Sequence, residues 1–345
     1  MNPLIWLTLM TSLTASTIIT MSSNHWLLAW LGLELNTLSI LPIIMKPHHP
    51  RATEATTKYF LVQATAATTI LLASTTTAWQ TGNWSITHSS PTATLLITMA
   101  VMLKLGAAPA HLWYPQVLQG TTMSTALEIS TWQKIAPLTL LYMMHNHLDH
   151  TTMLAIGITS AVIGGLAGLN QTQTRMIMAF SSIAHVGWLV TAMTINPNLT
   201  TLTMMMYVLT TMATFLPLTT TTTKTITDIG TTWPLSPPTL TMTMVALMSL
   251  GGLPPMGGFM PKWLILKELS STGLMMLSTT LLLATLPSLF FYIRLAYLTM
   301  LTTPPTTTAT EYKWRFKLNQ PTYTPPMIMA TALLLPMTAA LHTST

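Results

Sequence analysis

Glu34, Lys104, Lys134 and Lys262 lie within long apolar stretches of this sequence, where ionisable side chains are rare. A lone charge at bilayer depth costs about 2.5 to 3.5 kcal/mol on insertion scales, so such residues face a protein interior or a wet cavity and mark an ion or proton path. Lysine can carry a proton without a metal or cofactor: burial disfavours its charged form, a carboxylate within about 4 to 6 Å favours it, and relative movement of the two switches proton loading. Glu34 is the natural counter-ion for one of the lysines. The competing reading of each lysine is a permanent ion pair, or a side chain that snorkels to the membrane interface.

Two histidines sit in apolar stretches near this set. His111 lies in Pro109-Ala110-His111-Leu112-Trp113-Tyr114-Pro115, and His185 follows Ser181-Ser182-Ile183-Ala184. Imidazole relays protons near neutral pH, and a buried histidine can equally be a packing residue. His145, His147 and His150, with Asp149, have a spacing that could bind metal only adventitiously at a membrane surface. Glu128 is six residues before Lys134, roughly 240° around a helix, and reads as a mouth or surface group. The 28 methionines are dispersed, as expected of core and lipid-facing filler and not of a copper site. Cysteine is absent, which excludes disulfides and thiolate chemistry. No strand followed by a Gly-rich phosphate loop is found, so no NAD, flavin or ATP site is expected in this chain.

The elements that must hold these residues are set by composition. Only 6% of the 345 residues are charged, half are hydrophobic, and the mean hydropathy is +0.53. A soluble domain carries roughly a quarter charged residues. An all-α polytopic membrane protein in a lipid bilayer follows. Thr dominates the polar remainder, and its hydroxyl can return to the helix backbone, so Thr-rich stretches still read as spans. The net charge of +6 is spread thinly, without the basic face of a nucleic-acid binder. The N-terminus, Met1-Asn2-Pro3-Leu4-Ile5-Trp6, has neither a basic signal region nor an Arg-rich leader, so the first helix is expected in the mature chain.

A spanning helix needs about 20 apolar residues, and about eleven windows qualify: 3–21, 26–45, 57–79, 92–118, 123–143, 151–169, 174–193, 199–220, 238–269, 274–300 and 324–342. Turn residues separate them at Ser22-Ser23-Asn24, Pro47 to Pro50, Gly82-Asn83, Asn196-Pro197-Asn198 and Pro304-Pro305. Loops after even-numbered windows, taken with the first residues of the window that follows, hold Lys46, Arg51, Lys58, Arg175, Lys224, Lys313, Arg315 and Lys317, eight of the thirteen basic residues. By the positive-inside rule the N-terminus lies on the cytoplasmic or matrix side and the C-terminus opposite. Arg294 is expected to anchor the positive-side end of its helix.

Leu105-Gly106-Ala107-Ala108-Pro109 recurs 145 residues later as Leu250-Gly251-Gly252-Leu253-Pro254. Each copy falls inside an overlong window, where Gly and Pro permit unwinding that only protein or water can satisfy. Interrupted helices at corresponding positions in two halves point to the ion site of a transporter. The fourth and ninth windows run in opposite directions, as in an inverted-topology repeat with two discontinuous helices. The repeats are expected over about 26–143 and 151–300, followed by a terminal helix at 324–342, all in one transmembrane domain. Lys104 lies roughly 18 Å into its span counted from Pro91 at 1.5 Å per residue. Lys262 follows the second break, and Lys134 is expected mid-helix in the fifth window, where it could pass charge between the halves.

His48-His49-Pro50-Arg51-Ala52-Thr53-Glu54, Lys58 to Gln63, Thr131-Trp132-Gln133-Lys134-Ile135-Ala136-Pro137, Ser181 to Trp188, and Gly251 to Phe259 resemble the antiporter-like membrane subunits of mitochondrial respiratory complex I. That family is shared with bacterial multisubunit cation/proton antiporters, and the resemblance spans nearly the whole chain. It implies proton translocation coupled to quinone reduction in other subunits, which carry NADH, FMN, iron-sulfur clusters and ubiquinone. It further implies partners in the membrane arm, a place in the mitochondrial inner membrane with the N-terminus in the matrix and the C-terminus toward the intermembrane space, and origin as an organelle-encoded product. The animal form resembled lacks three N-terminal helices of longer bacterial relatives. Residue by residue, Glu34 and Lys104 resemble the family's coupling pair, Lys134 its central lysine and Lys262 the lysine of the second half. Gln116 departs from the Pro-Glu expected after the Trp, which leaves Glu128 as a substitute at a channel mouth. The alternatives are a stand-alone cation/proton antiporter, which would use the same lysines, and a non-conducting structural subunit with those lysines frozen in ion pairs.

Overall fold

The computed structural model describes residues 2–87, 89–230, 232, 237–301 and 324–333. Its regular structure is helical, and the chain divides into two compact units, residues 1–160 and 161–345. The first contains α1 (Pro3–Ser22), α2 (Trp26–Met45), α3 (Pro50–Thr81), α4 (Pro91–Leu105), α5 (Trp113–Gly120), α6 (Met123–Ser130) and α7 (Ile135–Met143). The division falls within α8 (His150–Ala167). The second unit continues with α9 (Thr174–Ile195), α10 (Pro197–Thr221), the short α11 (Ile226–Gly230), α12 (Pro237–Gly251), α13 (Phe259–Ser271), α14 (Met275–Leu301) and α15 (Thr324–Leu333).

Among the described residues seven helices, α1, α2, α3, α8, α9, α10 and α14, are long and apolar enough to cross a membrane. The windows at 92–118, 123–143 and 238–269 are each interrupted. The predicted terminal helix is described from Thr324 to Leu333; the rest of its window, Pro304-Pro305 and the basic residues 313, 315 and 317 lie outside the described residues. Helix starts follow local chemistry. Pro opens α1, α3, α4 and α10, where its missing N–H and fixed φ fit the first turn. Asn2 and Asn196 side chains accept the exposed N–H groups of Leu4 and Asn198. Threonine hydroxyls donate to carbonyls three residues back throughout, as at Thr17, Thr56, Thr98 and Thr214, which hides their polarity within the helix.

Two expectations change. The third helix begins at Pro50, not near residue 57, because His49 caps it by accepting from the Arg51 N–H. At 32 residues it is about 48 Å long, well beyond a hydrocarbon core of about 30 Å. Arg51, Glu54 and Lys58 therefore ride on its first turns and not in a loop, with Lys58 and Glu54 paired at 2.6 Å. The fifth window is likewise not one helix. Its α-helix stops at Ser130, residues Trp132–Lys134 form a 3-10 turn, and α7 restarts at Ile135. Pro137 has no N–H to give the carbonyl of Gln133, so the α-helical ladder lacks a rung there and the 3-10 turn precedes it. Lys134 accordingly sits at an interruption, not mid-helix.

In the first unit α2 packs between α1 and α3, and α3 packs on α4 and α5. Gly32 allows α1 to approach: a Cβ there would lie 2.6 Å from Thr20 Cγ2. In the second unit α10 packs on α9, α12, α13 and α15, and α14 on α12 and α13. Each unit also closes one end with the same antiparallel exchange of backbone hydrogen bonds. In the first, Trp26 N–H donates to Trp84 O at 3.0 Å and Ile86 N–H to Asn24 O at 3.1 Å; in the second, Thr174 N–H donates to Lys224 O at 3.1 Å and Ile226 N–H to Thr172 O at 3.0 Å.

Candidate functional site

Each unit has a broken helix, and both breaks are built from the same motif. At the end of α4, Gly106 has φ 70°, its N–H donates to Leu103 O and the Ala107 N–H to Met102 O. At the end of α12, Gly252 has φ 79°, its N–H donates to Ser249 O and the Leu253 N–H to Met248 O. Both are Schellman caps with glycine in the left-handed position, where a side chain is strained. The register differs by one residue from the sequence match: Gly106 corresponds to Gly252, not Gly251. Lys104 therefore lies just before its capping glycine, whereas Lys262 arrives from the far side of its break.

In the first unit a small cavity lies at the end of α4. Asn36, Tyr59, Gln63, Lys104, Tyr114, Gln133 and Lys134 are among the residues that line it. Lys104 and Lys134 are 6% and 2% exposed, so both ammonium groups are held inside protein. The carbonyls freed by the break are taken up by side chains: Trp113 Nε1 donates to Leu103 O at 3.2 Å and Gln63 Nε2 to Lys104 O at 3.4 Å. Lys134 Nζ lies 5.1 Å from the centroid of the Tyr114 ring, a cation–π distance. Glu34, on α2, stands within electrostatic reach of both Lys104 and Tyr59. It does not close an ion pair with Lys104: neither Glu34 Oε2 nor Lys104 Nζ has a hydrogen-bond partner among the described residues. A permanently locked Glu34–Lys104 bridge is not the arrangement found.

His111 is buried in the segment between α4 and α5, with Nδ1 3.2 Å from Pro109 O, and it is not part of the cavity lining. Glu128, on α6, has one buried carboxylate oxygen without a hydrogen-bond partner and lies within the field of Lys46. Lys46 itself lies 4.5 Å over the Trp6 ring. His147, Asp149 and His150 border a surface groove, and among the described residues no three His, Cys, Asp or Glu side chains come together to hold a metal ion. Asp149 there takes hydrogen bonds from Thr151 and Thr152, led by the Thr151 hydroxyl, which hold its carboxyl below the usual range.

The second unit has its own cavity, lined by His185, Thr203, Tyr207, Ser249, Pro261 and Lys262 among others. Lys262 and His185, from α13 and α9, are thus brought to one place. Lys262 Nζ donates to Gly251 O at 2.9 Å, on the last turn of α12. His185 packs against Tyr207 with ring centroids 5.4 Å apart. The return of the chain after the break is tight: a Cβ on Gly258 would lie 1.8 Å from Ser249 O. α15 completes the site, since Thr331 O accepts from Ser249 Oγ at 3.3 Å and from the Gly257 N–H at 3.1 Å.

The polar partners Asn36, Tyr59, Gln63, Gln133, Tyr114, Tyr207 and Ser249 were not singled out by sequence reasoning. A usable signal existed for three of them: Asn36, Gln63 and Gln133 are amides inside apolar windows, and a buried amide requires partners.

Comparison with known proteins gives the family and the fold. The profile described as NADH:quinone oxidoreductase/Mrp antiporter, TM, matches residues 23–305, and that of the NADH dehydrogenase subunit 2 C-terminus matches 289–342. The NADH-ubiquinone oxidoreductase chain 2 of Lycodon semicarinatus is 49% identical over 98% of this chain and 99% of its own, and that of Carassius auratus is 49% identical over 100% of both. Among solved structures, a chain of respiratory complex I from Thermus thermophilus with bound aureothin superposes with a TM-score of 0.85 at 24% identity, over 100% of this chain and 79% of that one. A chain of the Mrp complex from a Dietzia species gives 0.75 at 16% identity, over 90% and 60%. The solved structures establish the common fold, and the matches in sequence establish descent: the chain belongs to the NADH:quinone oxidoreductase/Mrp antiporter membrane family, within its NADH-ubiquinone oxidoreductase chain 2 branch.

Proposed function

We propose that this chain moves protons through the membrane arm of NADH-ubiquinone oxidoreductase by means of its buried lysines, with Glu34 acting on Lys104, Lys134 as the carrier beside it, and Lys262 with His185 as the carrier of the second unit. The observation that carries this reading is that in each unit a lysine reaches a small cavity at the point where a helix is broken. Such a lysine can change its charge without unfolding anything, because the freed carbonyls around it are already satisfied by Gln63 and Trp113 in one unit and by Lys262 itself in the other. Glu34 near Lys104, without a closed ion pair, gives a carboxylate whose approach or retreat would load or release the lysine proton.

The chain is a multi-pass membrane subunit of that complex, and electron transfer belongs to its partners. NADH, FMN, iron-sulfur clusters and ubiquinone are assigned to those other subunits, and neighbouring membrane-arm subunits are its partners. The finer placement is the mitochondrial inner membrane with the N-terminus in the matrix, supported by the one-sided distribution of basic residues along the sequence. His111 is assigned a place at the first break and no direct step.

The test is proton pumping per electron in proteoliposomes holding the assembled complex, native against Lys134→Met, with assembly and quinone reduction confirmed. Methionine removes the titrating group at similar volume. A sharp fall in pumping, or in the electron transfer coupled to it, is expected; native values for both would make this chain a non-conducting structural subunit. Exchange of cations for protons by the isolated chain without quinone reduction would instead favour a stand-alone antiporter.

A further inference from the structure

The amide of Gln133 is held from two sides. Its Nε2 donates to Asn36 Oδ1 of α2 at 3.0 Å, and its Oε1 accepts from the Tyr59 hydroxyl of α3 at 3.3 Å. Asn36 and Tyr59 are both 2% exposed, so both anchors are shielded from bulk solvent. Gln133 is the middle residue of the 3-10 turn Trp132–Lys134, and its neighbour in sequence is Lys134. Around it the backbone ladder is tightened to a three-residue reach, with Lys134 N–H donating to Thr131 O at 3.4 Å and Ile135 N–H to Trp132 O. A 3-10 turn has poorer hydrogen-bond geometry than an α-helix and rotates the residues that follow by a different angle per step. Something outside the ladder must therefore fix where Lys134 points.

We propose that Gln133 is a positioning residue for proton transfer: clamped between Asn36 and Tyr59, it holds the interruption of the fifth window and delivers Lys134 into the cavity it shares with Lys104. The inference rests on the relay reading above. It assigns a task to three polar side chains that no proton need pass through, and it ties the site to α3 and to α2, the helix that carries Glu34. Two features make the clamp specific to position and not only to packing. The amide uses both its donor and its acceptor side, so an apolar residue of the same size loses both contacts at once. Its two anchors lie on different helices, so their separation fixes the turn in direction as well as in depth.

The experiment compares proton pumping per electron in proteoliposomes of assembled complex carrying Gln133→Met, Tyr59→Phe, the double variant and Lys134→Met, each corrected for the amount assembled. Gln133→Met is expected to lower the ratio at least as much as Tyr59→Phe, and Tyr59→Phe is expected to add nothing in the Gln133→Met background, because the hydroxyl then has no partner left to lose. A purely structural glutamine would change assembly and leave the ratio in the assembled fraction native. If Lys134→Met lowers the ratio while Gln133→Met and Tyr59→Phe keep it native, the clamp is overturned and the relay stands. If Lys134→Met is itself native, the relay falls and the clamp with it. Should Gln133→Met fail to assemble, Tyr59→Phe, which removes one oxygen, decides: a native ratio overturns the proposal and a lowered one supports it.

Discussion

Lys262 Nζ donates to the carbonyl of Gly251, eleven residues earlier, and so closes the broken end of α12 with a cation. The C-terminal end of a helix carries partial negative charge on its unpaired carbonyls, and a cation there contributes about 0.3 to 1 kcal/mol, up to roughly 2 when partly buried. The lysine is both the titrating group and part of the brace. Lys262→Met is therefore expected to lower pumping per electron and also to reduce the heat stability of the assembled complex relative to the native protein. Thermal inactivation curves of variant and native complex test the brace; equal curves would show that the Lys262 cap is energetically idle.

The glycines of the second break are not equivalent. Gly258→Ala places a Cβ 1.8 Å from the Ser249 carbonyl, on backbone that has nowhere to move, and a loss beyond about 4 kcal/mol is expected, seen as failure to assemble. Gly252→Ala meets φ 79° and the end of the Lys262 side chain at 2.9 Å, a flexible group that can shift, so it is expected to assemble at reduced yield with altered pumping. Gly273→Ala has φ 81° and nothing within 4 Å, so backbone strain of about 1 kcal/mol is all it introduces. The order 258, 252, 273 in assembly yield is the measurement.

Glu34 and Lys104 are electrostatically linked without touching, which makes their coupling measurable. Glu34→Gln and Lys104→Met are expected each to lower pumping, and the double variant to lower it by less than the product of the two. Independent, multiplicative effects in the assembled complex would place Glu34 outside the path.

Much of this architecture is legible in the sequence. Helix positions followed from apolar run length and from Pro and Asn at their starts, because lipid leaves the backbone no alternative to internal hydrogen bonds. The breaks at Gly106 and Gly252 were visible as a repeated Leu-Gly pattern, although the sequence match selected Gly251; only φ identifies which of two adjacent glycines caps the helix. The interruption before Lys134 was missed, since Pro137 alone is compatible with a simple kink, and the Gln133 clamp depends on residues 74 and 97 positions away that no local pattern relates. The side chains that carry charge could be named from burial cost alone. Their neutral partners could not, because a single Tyr or Gln in an apolar window does not say what it faces.

Asp228 offers a test outside the membrane spans. Its carboxylate accepts from the Thr225 N–H at 2.8 Å and the Lys224 N–H at 3.0 Å, which folds the loop between α10 and α11 into a cap. These bonds, led by that of Thr225, hold its carboxyl below the ordinary range. A group whose folded value is depressed contributes its stability above the unfolded value, about 3.9, and loses it as pH falls through the lower folded value. At neutral pH the stabilisation is therefore fully present. Asp228→Asn is expected to speed amide hydrogen exchange at Thr225 and Lys224 at pH 7, and native protein is expected to approach the variant only well below pH 4, after correction for intrinsic exchange. Native protection that disappears between pH 6 and 5 would mean that a different group, and not this carboxylate, holds the loop.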